Sequence, residues 1–232
     1  MKTHLLLFPG LLCDEALWSE QIAALSSHCT CRVADMASGT TLAEIARHAI
    51  QGMPEKFAVA GLSMGGYTAL EVMRQVPERV ERLALLDTSA RADTAERIEI
   101  RKALIARVEK GEFNDVIEEH FQHFVHPSRL SDIVLMEKIR TSALNVGPEA
   151  YVREQKAIIA RPDSLPSLAQ ITCPTLVLCG AEDVLTPPAL HDEIAHAIAG
   201  AELVKVADCG HLSTLEAPEA VNAALQSWLG IR

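Results

Sequence analysis

This sequence predicts an α/β fold: about six mainly parallel strands flanked by helices, with a helical cap inserted. Three observations carry that reading. Short apolar runs, most of them apolar on consecutive residues, recur at 4–8, 31–34, 57–61, 83–87, 175–179 and 203–206. Runs that are apolar on successive positions suit strands buried on both faces. Helical patterns separate them, and strand–helix alternation implies a parallel sheet with helices on either side. The rhythm then breaks between 90 and 165, where no strand pattern appears and helices are expected instead. Residues 1–89 and 166–232 therefore read as one core domain, and 90–165 as a cap inserted within it.

Each element has its own local reason. The opening apolar stretch through Leu12 lacks a small-residue cleavage site, so it reads as a buried strand entering a loop rather than an export signal. Helix 15–25 puts Leu17, Trp18, Ile22 and Leu25 on one face, and 42–51 follows the cap candidates Thr40 and Thr41. Helix 65–76 aligns Ala69, Leu70, Met73 and Val76. In the cap, helices are expected at 92–110, 112–125, 129–144 and 148–160, punctuated by Gly111, Pro127, Gly147–Pro148 and Pro162. Helix 188–199 has Thr186 as a possible N-cap, with Pro187 in the first-turn region. Helix 218–229 places Val221, Leu225, Trp228 and Leu229 together. The cap's natural place is over the carboxyl ends of the strands, where open α/β sheets bind ligands.

Composition narrows the function classes. A net charge of −10 disfavours nucleic acid and membrane surfaces as partners. No stretch approaches the ~18 apolar residues of a transmembrane helix. The six cysteines lack disulfide-framework or metal-knuckle spacing, which points to reduced thiols and a cytoplasmic setting. No cofactor, metal or obligatory protein partner is indicated.

The sharpest motif is Gly61-Leu62-Ser63-Met64-Gly65, between a strand and a helix. A serine there sits on a very tight turn, and glycines two residues to either side let backbones approach without Cβ clashes. A hydroxyl is a weak nucleophile and needs a base. His211, between the last strand and the last helix, is the best placed histidine. Asp183, in the loop after 175–179, is the candidate that orients it, with Glu182 as the rival acid. Singly, each residue reads as an ordinary turn or loop residue. Jointly, they lie on three loops at one sheet edge in the order serine, acid, histidine.

With Phe8-Pro9-Gly10-Leu11-Leu12, Trp18, Gly-Leu-Ser-Met-Gly-Gly at 61–66, Leu86-Asp87-Thr88, Gly180-Ala181-Glu182-Asp183 and Gly210-His211, the chain resembles the α/β-hydrolase superfamily over nearly its whole length. It is most similar to compact, cap-bearing carboxylesterases, including those acting on pimeloyl esters. The resemblance implies an α/β-hydrolase fold with its strands in the spatial order second, first, third, fourth, fifth, sixth. It also implies an oxyanion hole made by the amides of Leu11 and Met64, although Pro9-Gly10 stands where the family often has His-Gly. The activity implied is cleavage of a small carboxylic ester by a serine esterase, with a small-molecule acyl substrate. The same three residues could serve thioester hydrolysis, carbon–carbon cleavage or perhydrolysis. The rival from another class is a non-catalytic receptor for a small ligand.

Weaker signals have blander readings. Leu12, Phe113, Phe121 and Phe124 are the candidates for an apolar acyl pocket, though cap phenylalanines also serve as packing. His120, His123 and His126 read as solvated or pocket-lining rather than metal ligands. Arg97, Arg101, Lys102 and Arg107, interleaved with Glu96, Glu99 and Glu109, read as a salt-bridged helix surface. Asp87 reads as structural or pocket-forming, and Cys13 and Cys209 as packing residues. An unperturbed His211 would make turnover rise near pH 6–7.

Overall fold

The computed structural model describes residues 2–231. Its strands are β1 (Thr3–Phe8), β2 (Cys29–Val33), β3 (Phe57–Leu62), β4 (Val80–Leu86), β5 (Thr175–Gly180) and β6 (Glu202–Val206). They pair in parallel in the order β2-β1-β3-β4-β5-β6, the order the resemblance implies. β3 and β5 are buried along their whole length, whereas the edge strands β2 and β6 expose part of theirs. This is why the central runs are apolar at every position while the edge runs are not.

Alternate residues of the inner strands feed two cores. On one face Leu5, Leu7, Ala58 and Ala60 meet α1 (Ser19–Leu25) and α10 (Pro218–Leu229) through Leu25, Val221 and Leu225. On the other, Leu6, Phe8, Phe57 and Val59 meet α2 (Leu42–Ala49), α3 (Met64–Gln75) and α8 (Pro188–Ala197) through Ile45, Val72 and Ile194. Each of the leucine, isoleucine, valine and phenylalanine side chains among them contributes roughly 1.5–3 kcal/mol on burial. Thr41 caps α2 by accepting the Glu44 amide at 3.2 Å. The Thr186 cap is a correction: the N-cap of α8 is Pro187, and no side chain caps that helix. The Thr186 hydroxyl is committed elsewhere.

Between β4 and β5 run α4 (Ala95–Glu109), α5 (Phe113–Phe124), α6 (Ile133–Ile159) and the short α7 (Leu165–Leu168). The two helices expected on either side of Gly147–Pro148 are both present and meet directly at a kink; together they are labelled α6. Gly147 leaves helical geometry at φ 77° and ψ 171°. The ring of Pro148 excludes the preceding residue from the helical region and supplies no amide to the ladder, so the helix bends there. Among the described residues no helix is long and apolar enough to cross a membrane.

Candidate active site

Among the described residues four non-glycine ones have positive φ: Leu12 (63°), Ser63 (56°), Asp87 (44°) and Asp208 (54°). Each follows the carboxyl end of a strand, β1, β3, β4 and β6 respectively. A left-handed L-residue costs roughly 1–2 kcal/mol, so the sheet edge concentrates strain where side chains must converge. At Ser63 the surrounding glycines make the turn possible. A Cβ on Gly61 would lie 2.1 Å from the Gly65 carbonyl oxygen, and one on Gly65 would lie 2.0 Å from that of Phe8. The Ser63 amide donates to Leu86 O at 2.9 Å. Its carbonyl accepts from the Gly66 amide at 2.9 Å and from the Thr88 hydroxyl at 2.8 Å.

Ser63 Oγ lies 2.9 Å from His211 Nε2, and His211 Nδ1 lies 2.8 Å from Asp183 Oδ2. Asp183 Oδ1 accepts the amides of Leu185 and Thr186 at 2.8 and 3.0 Å. Its Oδ2 accepts the Thr186 hydroxyl at 2.7 Å. Burial pushes the Asp183 pKa up, but the charge and hydrogen bond of His211 and the Thr186 donors outweigh it and hold the carboxyl below its usual range. For His211 burial pulls the pKa down. The charge and hydrogen bond of Asp183, with Asp87 and Glu216, win and carry it above 6.5. A hydroxyl on a buried imidazole that is itself braced by a carboxylate can be deprotonated as it attacks. Glu182 is occupied elsewhere, accepting the Cys209 amide at 3.1 Å.

The histidine loop is clamped from both sides. The amides of His211 and Leu212 donate to Phe124 O of α5 at 3.1 and 3.0 Å. Glu216 accepts the amides of His126 and Gly210 at 2.7 and 3.1 Å. Asp87 is fully buried and accepts the Gly180 amide at 2.9 Å and the Ser213 hydroxyl, tying β5 to the segment after His211. Burial first, then the charge of Asp183, pushes its pKa up to about 8.

Among the described residues, the amides of Leu11 and Met64 donate to no protein acceptor. The next amide, Leu12 N–H, donates to Glu154 Oε2 at 3.2 Å. Glu154 is 4% exposed, and burial pushes its pKa up to about 7. One turn before the kink, Ser142 and Asn145 hold the same loop through Asp14, at 2.8 and 3.0 Å. The two halves of α6 thus straddle the β1–α1 loop.

A cavity of about 210 Å³ opens on Ser63 and His211. Leu11 and Phe124 line it. Leu12, Phe113 and Phe121 do not, which corrects their assignment to a pocket. All three lie in the hydrophobic core: the Phe113 ring meets Tyr151 edge-on at 6.2 Å, and Phe121 packs against Phe124 at 6.1 Å. Burying a phenylalanine against its own helix layer satisfies the same apolar demand as lining a cavity, so residue type alone does not separate them. The cavity instead takes Arg97 and Arg101 from α4, residues that read as a solvated surface, together with His120 and Cys13. Burial holds His120 well below its usual pKa, at about 4, and its Nε2 lies 2.9 Å from the Tyr151 hydroxyl. Burial likewise pushes the Cys13 thiol up. His126 turns away to Ser128 at 2.7 Å, so the three cap histidines do not share a centre. Among the described residues no group of three His, Cys, Asp or Glu side chains converges to hold a metal.

A family model described as "Alpha/beta hydrolase family" matches residues 5–224. Over 172 residues the chain is 30% identical to "Putative non-heme bromoperoxidase BpoC" of Mycobacterium tuberculosis, covering 72% of this chain and 65% of that protein. The matched stretch thus spans less than two thirds of that relative's length. Over 204 residues it is 28% identical to the pimeloyl-[acyl-carrier protein] methyl ester esterase of Aromatoleum aromaticum, covering 79% of this chain and 78% of that one. A solved thermophilic esterase from Thermogutta terrifontis superposes with a TM-score of 0.91 at 30% identity, over 99% of this chain and 90% of that one.

Proposed function

The chain belongs to the alpha/beta hydrolase family, and from that premise we propose that it cleaves a small carboxylic ester through an acyl-enzyme on Ser63. One observation carries the proposal: the unbroken contact from Ser63 Oγ through His211 to Asp183, at 2.9 and 2.8 Å, with Ser63 and His211 lining a partly open cavity. The relatives named as esterases support the same reading.

In the proposed reaction the ester carbonyl seats its oxygen against the Leu11 and Met64 amides. Ser63 Oγ attacks the carbonyl carbon while its proton passes to His211 Nε2. Asp183 fixes the imidazole tautomer and stabilises the imidazolium without taking the proton. The tetrahedral oxyanion is held by the two amides; losing one such donor typically costs about 3 kcal/mol of barrier. Collapse breaks the bond to the leaving oxygen, which departs with the His211 proton. Water then gives a proton to His211 as it attacks the acyl carbon, and collapse of this second intermediate breaks the bond to Ser63 Oγ, which takes that proton back from His211 as the acid leaves.

The test is steady-state hydrolysis of chromogenic acyl esters of increasing chain length, with Ser63→Ala alongside. The proposal expects turnover that disappears in the variant, and a length profile that measures the cavity. Equal turnover by both proteins would remove Ser63 as nucleophile. Inertness of both would shift the assignment to thioesters, carbon–carbon substrates or ligand binding.

A further inference from the structure

We infer that the α4 wall of the cavity is a carboxylate-binding subsite, so that the ester cleaved is a half-ester of a short dicarboxylic acid. The substrate class named here rests on the esterase reading above; the anion site itself stands on the charges around the cavity.

Arg97 and Arg101 are one turn apart on α4, so both present to the same side of the helix. Both line the cavity, and among the described residues no Asp or Glu does. Asp93, just before α4, lies behind this wall, and its side chain is 1% exposed. It is shared by two guanidiniums: Arg101 Nε donates to Oδ2 at 2.5 Å and Arg161 Nη2 to Oδ1 at 2.8 Å. Arg101 also donates to Gln155 Oε1 at 2.7 Å. Arg161 stacks over the Tyr67 ring at 4.2 Å, and Tyr67 lines the cavity. Arg97 makes no ion pair among the described residues. Its Nη2 donates to Leu185 O at 3.0 Å, on the loop that carries Asp183. Of these three guanidiniums, Arg101 and Arg161 share one carboxylate and Arg97 is paired with none among the described residues, in a chain whose net charge is −10.

Neighbouring cations do not share this lack of an acidic partner. Lys102 pairs with Glu99, Arg107 with Glu112 and Glu119, and Arg91 with Glu193. Arg97 differs from them in lining the cavity without an ion pair among the described residues. His120 adds no charge there, because burial keeps its imidazole neutral. A guanidinium is always charged and matches a carboxylate with parallel donors, and a partly enclosed setting strengthens the attraction. The remaining wall is apolar, with Leu62, Ile100, Leu104 and Ile158, which suits methylenes between the two ends. A cavity of about 210 Å³ lies below the roughly 300–1,000 Å³ of drug-sized sites, so the chain between ester and carboxylate is short.

The experiment pairs monomethyl adipate with its uncharged isostere, the methyl ester of adipic acid monoamide, in a pH-stat. The expected result is a kcat/KM about tenfold or more higher for the anionic ester, falling in high salt. In Arg97→Gln that ratio drops towards one. Equal kcat/KM for the two esters in the wild type, or a ratio that Arg97→Gln leaves in place, overturns the subsite. Calorimetric binding of the same two esters to Ser63→Ala gives a readout independent of turnover. If neither ester is hydrolysed but Ser63→Ala still prefers the half-ester, and loses that preference with Arg97→Gln added, the ester reading falls and the anion site stands. If the half-ester binds no better than the amide, the anion site falls.

Discussion

Replacing Glu154 by leucine takes away the acceptor of the Leu12 amide, and the consequence can be worked through from the loop. That amide is buried against α6, and leaving it unsatisfied costs about 1–3 kcal/mol. Leu12 is held at φ 63°, at a cost of roughly 1–2 kcal/mol, so losing the bond favours relaxation of its backbone against the core packing and the Asp14 contacts that remain. Relaxation of Leu12 turns the peptide next to Leu11, whose own amide is the proposed oxyanion donor. A full donor is worth about 2.7–4 kcal/mol; partial misplacement of one corresponds to roughly ten- to thirtyfold in kcat with KM little changed. The assay compares kcat, KM and the affinity of a trifluoromethyl ketone that forms a hemiketal on Ser63. Glu154→Gln keeps an acceptor in place and is expected within about threefold of wild type on all three. A leucine variant with wild-type kcat and ketone affinity, its loss confined to Tm, would refute the positioning argument.

Three further outcomes are expected. The acidic limb of kcat/KM should have its midpoint above 6.5, because Asp183 raises the His211 pKa against burial; Asp183→Asn should lower that midpoint and cut kcat by about 10⁴, as a pH–rate profile would show. Gly65→Ala should destabilise by at least ~3 kcal/mol in a denaturant titration and abolish turnover, since its Cβ would sit 2.0 Å from a backbone oxygen and the elbow or β1 must move. Asp87 releases its proton near 3.8 unfolded and about 8 folded, so its contribution to stability is complete below about 4 and is lost as pH rises towards 8; Asp87→Asn should flatten the fall in Tm over that window, and an unchanged slope would count against it.

Why Ser63, Asp183 and His211 were legible in sequence, while their supports were not, follows from what a local pattern encodes. A strand that ends and a helix that begins fix which loop a residue occupies, and in a parallel sheet those loops share one edge. Partners that arrive from elsewhere leave no such mark. Glu154 lies 142 positions from the amide it holds, and Phe124 offers a backbone carbonyl to His211, which no side-chain type announces. Thr186 satisfied the rule for a helix cap, yet its hydroxyl is drawn to the stronger acceptor, the buried Asp183 carboxylate. The Gly147–Pro148 pair correctly marks a break in helical geometry, but whether a break becomes a loop or a bend depends on packing of the segments on either side. Arg97 and Arg101 show the same limit: alternating charges describe a solvated helix surface, and nothing in them says that this surface also borders a cavity, as it does here with Arg97 exposed and Arg101 half-buried.

The bend in α6 has a bearing on how such proteins could be recombined. Because Ser142 and Asn145 grip Asp14 before the bend and Glu154 grips Leu12 after it, the helix and the β1–α1 loop constitute a single interlocking part. A cap transplanted from a relative to alter substrate choice would bring its own clasp and find the wrong loop beneath it. Chimeras of this chain should therefore retain activity only when residues 9–14 travel with 133–159.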